Sequence, residues 1–409
     1  MKFVWPIIIA VLLLLLGGFV VAEDQMQTNQ TQTIVIGGLL PLSGNASAQG
    51  PSYKAAMELA AEDLNAKYAT LGLPYQVRLR IADTGSDPDV AKKLGTEMIR
   101  DGIHFIIGPL SSAEMTALEE TATQSHTILI GFGSTAPGLT SQNNTIVRLC
   151  PDDTIQAQAL QGLFKKENYS TIIPVVRNDI YGQKFYEILD NLSENGTFTL
   201  TDPIYYEPGT ASFNTTIEEI TRDVHDVPSH SRSAVLVLGF DETADILNAA
   251  SQSSELGSLS WVGTDGIALS DSVLKNRNVA AFAAKTNFTA TIYGEMENEP
   301  KFMDFSKRIQ NISGLKPTPY AVVIDDAVQL AALTEMTGKG ITDKRPLFLD
   351  NADHFYGVSG YTFLTESGDR RYTNIDFWRV KDKGGDYSWT KIGRFVDQMA
   401  GPMMDMKTT

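Results

Sequence analysis

FIIGPLSS at Phe105–Ser112 and ILIGFGSTAP at Ile128–Pro137 decide how this chain folds. Each is a short, almost continuous apolar run that breaks into glycine and small hydroxylated residues. A strand buried on both faces in a parallel sheet has that composition, and its carboxyl end is where an open α/β sheet forms a ligand crevice. The two runs therefore predict neighbouring strands whose terminal loops face a small polar molecule.

Outward from these runs, strands and helices alternate. Strands are expected at Ile34–Leu40, Tyr75–Ala82, His104–Pro109 and Thr127–Phe132. Helices are expected at Ser52–Ala66, Pro88–Arg100 and from Ser112 or Ala113 onward. After Asp153 the pattern restarts, with helices Thr154–Lys166, Tyr181–Asn195, Ser212–Val224 and Asp241–Ser254. Strands Ser170–Arg177, Pro203–Glu207, Ala234–Phe240 and Ser260–Gly263 alternate with them. The remainder predicts a strand at Ala280–Thr289 and helices at Pro300–Ile312, Tyr320–Thr337 and near Arg345–Ala352. A hairpin of Gly360–Leu364 and Ile375–Arg379 turns at Thr365–Tyr372, and no element is assigned over Phe395–Thr409. The fold class is α/β, two doubly wound lobes in tandem with a cleft between them.

At 409 residues the chain exceeds what one core organises, which agrees with two lobes. Its formal net charge of −16 excludes a nucleic-acid partner, since no basic cluster neutralises phosphates. Lys2 precedes an apolar run from Phe3 to Ala22, read as a signal peptide or an uncleaved membrane anchor (residues 1–22). The polar, aliphatic-poor stretch that follows, residues 23–33, reads as a tether. Cys150 is the only cysteine, so there is no disulfide framework, and IVRLC places it as an inert core thiol. Asn-x-Ser/Thr sequons begin at Asn29, Asn45, Asn143, Asn168, Asn191, Asn195, Asn214, Asn287 and Asn311, half of the 18 asparagines. Random placement of Ser and Thr would give roughly a third as many, so an exported, glycosylated protein of a eukaryote or archaeon is expected.

The candidate site lies at the strand ends. Ser112 and Thr135 supply hydroxyl and N–H donors suited to a carboxylate, and Gly133 permits close backbone approach. Asp265 in WVGTDGI, at the end of a second-lobe strand, suits an ammonium group, and Tyr181 in NDIYGQ is placed to close over the ligand. Singly, these residues read as helix caps or turn residues. Together, at the ends of four strands from two lobes, they read as a binding cleft.

The chain has no G-x-S-x-G elbow, P-loop or G-x-G-x-x-G turn. Its histidines, His104, His126, His225, His230 and His354, are dispersed without metal-ligand spacing, so no metal, cofactor or catalysis is expected.

Gly38–Asn65, Asp83 in IADTGSDP, the GPLSS and GSTAP loops, Ile180-Tyr181-Gly182 and Gly357–Phe363 resemble the type I periplasmic solute-binding proteins. The likeness is strongest to the Leu/Ile/Val group that serves ABC transporters, and it runs over roughly residues 34–397. The resemblance implies two Rossmann-like lobes joined by three crossovers, near Leu149–Thr154, Thr286–Thr289 and Phe355–Gly360. The first lobe is then 34–152 with 289–354, the second 153–288 with 355–397, and 398–409 is a tail. It also implies that Ser112, Gly133 and Thr135, with Ser134 between them, hold a ligand's α-carboxylate, that Asp265 holds its α-ammonium, and that Tyr181 is a second-lobe contact. Gln49 stands where the family often has an aromatic lid, and the Phe240-Asp241 loop is one residue short of a tyrosine-bearing version. Both departures point away from leucine, isoleucine or valine toward a more polar or differently shaped side chain. The expected partners are an amino acid, with a small amide or organic anion as the alternative, and an ABC permease at the outer face of the membrane. A sensing ectodomain or co-receptor of the same fold is the other use.

Overall fold

The computed structural model describes residues 31–194, 196–228, 231–294, 299–396 and 403–406. The leader, the tether up to residue 30, the sequons at Asn29 and Asn195, and His230 lie outside the described residues. Two sheets organise the chain, one in each lobe.

The first lobe begins with β1 (Gln32–Leu40), α1 (Gly50–Thr70), β2 (Tyr75–Asp83) and α2 (Pro88–Arg100). It continues with β3 (Phe105–Ile107), α3 (Ser112–Gln124), β4 (Ile128–Gly131) and β5 (Ile146–Arg148). These strands form a wholly parallel sheet of order β2-β1-β3-β4-β5. Both faces are covered, which is why β3 and β4 are apolar at every position. Met98, Met115 and Leu118 of α2 and α3 pack one face with Leu39, Ile106 and Leu129, and α1 covers the other with Ala56, Leu59 and Ala60. Phe105, Ile106 and Ile107 are fully buried, and each such side chain stabilises the fold by about 1.5–3 kcal/mol.

The chain then enters the second lobe through α4 (Asp153–Glu167), β6 (Thr171–Arg177), α5 (Ile180–Ser193), β7 (Thr199–Leu200) and β8 (Ile204–Tyr206). Next come α6 (Asn214–Asp226), β9 (Ser233–Leu238), α7 (Thr243–Ala250), β10 (Ser260–Gly263), α8 (Asp271–Lys275), α9 (Arg277–Lys285) and β11 (Thr289–Tyr293). Strands β6, β9, β10 and β11 run parallel, with β7 and β8 both on the far edge of β6. Helices α4 and α5 cover one face through Leu160, Phe164, Phe185 and Leu189.

Helices α10 (Pro300–Ser313), α11 (Pro319–Thr337) and α12 (Arg345–Asp353) belong to the first lobe, α11 lying along α1 with Val323, Ala327 and Leu330 fully buried. The short β12 (Tyr356–Gly357) and β13 (Gly360–Tyr361) pair with each other. The chain closes the second sheet with β14 (Asn374–Asp382), β15 (Tyr387–Val396) and β16 (Met403–Met406), all antiparallel.

Five expectations are corrected. The run Ala280–Thr289 is not a strand: its alanines continue α9, which Asn276 caps by accepting from Asn278 N (3.0 Å) and Val279 N (3.4 Å). The strand begins at Thr289 and pairs with β10 and β14, so residues 289–293 belong to the second lobe and the chain returns to the first lobe after Gly294 rather than at Thr286–Thr289. The hairpin partner of β14 is β15, not Gly360–Leu364. Leu364 instead bridges Arg370 in a small turn fastened to the first lobe, where Arg148 N donates to Gly368 O (2.8 Å). Asp326 of α11 also accepts from Val358 N (2.7 Å) and Ser359 N (3.0 Å), so the last passage falls at 371–373 and not at Phe355–Gly360. Part of the tail is ordered as β16, which extends the sheet beyond β15.

Candidate functional site

The carboxyl ends of β1, β3 and β4 face those of β9, β10 and β11, and the first residues of α11 close one end. A cavity lies between them. Its first-lobe wall includes Gln49, Tyr53, Leu110 and Gly133, its second-lobe wall Phe240, Asp241, Asp265 and Ile292, and Thr318 and Tyr320 come from the start of α11. The wall is mostly apolar with a few convergent polar groups, the usual makeup of a small-molecule site.

Asp265 is the polar centre. It stands two residues past the end of β10 and is 7% exposed. Its Oδ1 accepts from Gln156 Nε2 (2.9 Å) and Tyr181 OH (3.0 Å), and its Oδ2 accepts from Tyr320 OH (2.5 Å). Its backbone N–H donates to Gln156 Oε1 (3.0 Å). Gln156 Nε2 also donates to Asp153 Oδ1 (3.0 Å), so one amide ties two buried carboxylates together. Burial raises the proton affinity of both; the Asp265 charge pushes Asp153 up further, whereas the three donors around Asp265 restrain its rise. Tyr181 and Tyr320 are held well above their ordinary range by burial and by the Asp265 charge, so both stay protonated donors. Among the described residues, no lysine, arginine or histidine lines the cavity, although two aspartates do.

A stack of side chains supports the second-lobe wall. Tyr181 lies on Phe240 with ring centroids 5.1 Å apart and planes 22° from parallel. On Phe240 also sits the Arg177 guanidinium, 4.7 Å from the ring centroid. Arg177 is fixed by Asp179 (Nε, 2.6 Å) and Glu242 (Nη1, 2.6 Å). Gly182 brings the start of α5 against the end of β6, since a Cβ there would stand 2.1 Å from the Arg177 carbonyl oxygen.

Among the described residues, two hydrogen bonds involving side chains link the cleft walls, besides the backbone bond from Asp153 N to Thr135 O (2.9 Å) at the first passage between lobes. Ala48 N donates to Asp241 Oδ2 (3.2 Å), whose Oδ1 is held by Ser270 Oγ (2.6 Å) and Ser272 Oγ (3.1 Å). The Tyr320–Asp265 bond is the second.

Of the eight residues expected at the site, Gln49, Gly133, Phe240 and Asp265 line the cavity. Gly133 packs so closely on Leu110 that a Cβ would meet Leu110 Cδ1 at 2.4 Å. Tyr181 stands behind the wall, orienting Asp265 and backing Phe240. Ser112 also stands behind it: the cap of α3 is Ser111, in a reciprocal pair with Glu114, while Ser112 Oγ accepts from Ala136 N (3.1 Å) and so fixes the GSTAP loop. Thr135 is buried with its hydroxyl turned to the Asp153 carboxylate, and its carbonyl oxygen accepts from Asp153 N (2.9 Å). Ser134 turns inward, its hydroxyl against Gly131 and its carbonyl accepting from Arg148 Nη1 (3.0 Å). Sequence reasoning missed Gln156, Asp241, Thr318 and Tyr320. Asp241 adjoins the flagged Phe240, and Tyr320 follows the helix-starting prolines of KPTPY. For Gln156 the sequence carries no signal, because its role exists only once α4 faces β10.

The receptor family ligand binding region matches residues 53–383. An uncharacterized protein of Methanocaldococcus jannaschii is 25% identical over 93% of this chain and 95% of its own length. Among solved structures, the branched-chain amino acid transporter substrate binding protein LivJ from Streptococcus pneumoniae, in complex with isoleucine, superposes with a TM-score of 0.70 at 18% identity, over 88% of this chain and 100% of that one. The solute binding protein of an ABC transporter from Rhodopseudomonas palustris, in complex with 3,4-dihydroxybenzoic acid, does so with a TM-score of 0.74 at 14% identity, over 89% and 97%. At such identities the likeness is one of fold.

Proposed function

The chain belongs to the family defined by the receptor ligand binding region and has the type I periplasmic binding protein fold, and we propose that it captures an α-amino acid in its cleft for delivery to an ABC permease. The observation that carries this reading is the charge of the cavity. Asp265 and Asp241 line it, Asp153 stands one amide behind, and among the described residues no cationic side chain shares the wall. Buried carboxylates require a counter-charge or a proton, and a ligand ammonium supplies the former. A benzoate or other bare anion would add negative charge to a site that already has too much. The GSTAP loop, which Ser112 holds in place and whose Gly133 lines the first-lobe wall, is the candidate partner of the ligand carboxylate. Family and fold are those of binding proteins, which supports binding and release as the proposed role.

Calorimetric titration of the purified protein with α-amino acids, the corresponding amines and aromatic acids tests this. Amino acids are expected to bind and benzoates to stay silent, with Asp265→Asn weakening amino-acid binding by at least ~30-fold. Absence of heat from every ammonium-bearing compound, or unchanged affinity in Asp265→Asn, refutes the assignment.

Export to the outer face of the membrane fits the apolar leader and the sequons. Asn45, Asn143, Asn168, Asn191, Asn214, Asn287 and Asn311 are all exposed. An intact mass above that of the polypeptide is expected from the native source, and a bare polypeptide mass counts against glycosylation.

A further inference from the structure

A second cavity adjoins the first and shares Gln49 with it. Residues 314–317, ahead of α11, form its first-lobe side, and Leu269, Asp271, Trp378 and Trp389 stand on the other. Gln49 is 9% exposed, and its Oε1 meets no donor among the described residues. A buried acceptor without a donor is strongly disfavoured, so its position between two cavities points to an N–H brought by a molecule that spans both.

The outer walls are built rather than incidental. Trp389 donates its indole N–H to Ser270 O (3.1 Å) and packs on Phe288 with centroids 5.8 Å apart. Lys316 Nζ stands 5.5 Å from the centre of the Trp378 ring. Leu269 has φ 61°, a left-handed backbone that a leucine adopts only where its surroundings impose it. Asp271 and Lys316 bring one charge of each sign to this wall, which leaves it to select by shape and hydrogen bonding rather than by net charge.

We propose that the outer cavity receives the side chain of the captured amino acid, and that this side chain is large and flat and carries an N–H donor, as an indole or a guanidinium does. The proposal rests on the amino-acid reading of the inner cavity. The ammonium stays at Asp265, the side chain passes Gln49 and donates to Oε1, and its flat group lies against Trp378 and Trp389, where ring stacking and cation–π attraction favour it. Gln49 in place of an aromatic lid is what leaves the passage polar.

The test is calorimetry on the full chain with tryptophan, arginine, leucine and alanine. Tryptophan or arginine is expected to bind at least ~10-fold more tightly than leucine and alanine, because a site built around a hydrogen bond rejects ligands that lack the donor. In Gln49→Leu, a change that keeps the volume, that margin is expected to fall at least ~5-fold. Leucine or alanine matching both flat ligands would overturn the outer-cavity proposal while leaving the inner reading standing. Silence from all four would overturn the inner reading instead. An undiminished margin in Gln49→Leu would remove the hydrogen bond to Oε1 from the proposal.

Discussion

Asp153 and Asp265 sit on either side of the Gln156 amide, and the proton they hold has a consequence for stability. Both take up protons at higher pH in the folded chain than in the unfolded one, since burial penalises their charge. Asp241 and Asp326 shift the same way, and Asp325, buried beside Asp326, is pushed up to about 7. The native state therefore binds more protons than the unfolded state between about pH 4 and neutrality, and stability falls as pH rises through that window. Asp83 and Glu335 are shifted down by their hydrogen-bond and ion-pair partners, and their contribution is lost only at lower pH, outside the window. The melting temperature is expected to be higher at pH 5.5 than at pH 8, by about 2–4 °C for each kcal/mol of linkage. Saturating amino acid should flatten the slope, because its ammonium replaces the shared proton. Thermal melts that rise with pH in the free protein would contradict the assignment of these protons.

Each ligand loop takes its position from the element before it, and the loop bearing Asp241 has the added task of meeting the other lobe. Asp241→Ala removes the bond to Ala48 N and leaves the β10–α8 loop without the acceptor for Ser270 and Ser272. Ligand dissociation is expected to accelerate at least ~5-fold with little change in association, and stopped-flow traces that match the wild type would rule out a closing role. Strands β3 and β4 were legible in the sequence because burial on both faces leaves no polar residue in them, and their small polar termini mark the crevice. Where α9 gives way to β11 the sequence was ambiguous, since AAFAAK suits either state and only the neighbours of β11 show which sheet it joins. Hairpin pairing failed for a related reason: YTF and YSWTKIGRF both alternate, and the choice between them is made by a long-range partner. Asp265 could be picked out locally, whereas Tyr320 and Gln156 become site residues only through packing.

Two sheets, three passages of the chain between them and a cleft at their facing ends make a molecule whose lobes are separate in space but not in sequence. The first lobe is incomplete without α11, whose apolar side covers α1. A fragment ending at residue 294 is therefore expected to melt without a sharp transition, and a cooperative melt near the full-length midpoint would show that α11 is dispensable. The same return of α11 governs the order of events at the ribosome. At ~5–20 residues per second, the face of α1 that α11 covers stays bare for on the order of 15–60 s, and the second sheet waits nearly as long for β14 and β15. Neither lobe can bury its full core until α11 and β14 have been made, so the polypeptide stays unlocked through most of its own synthesis.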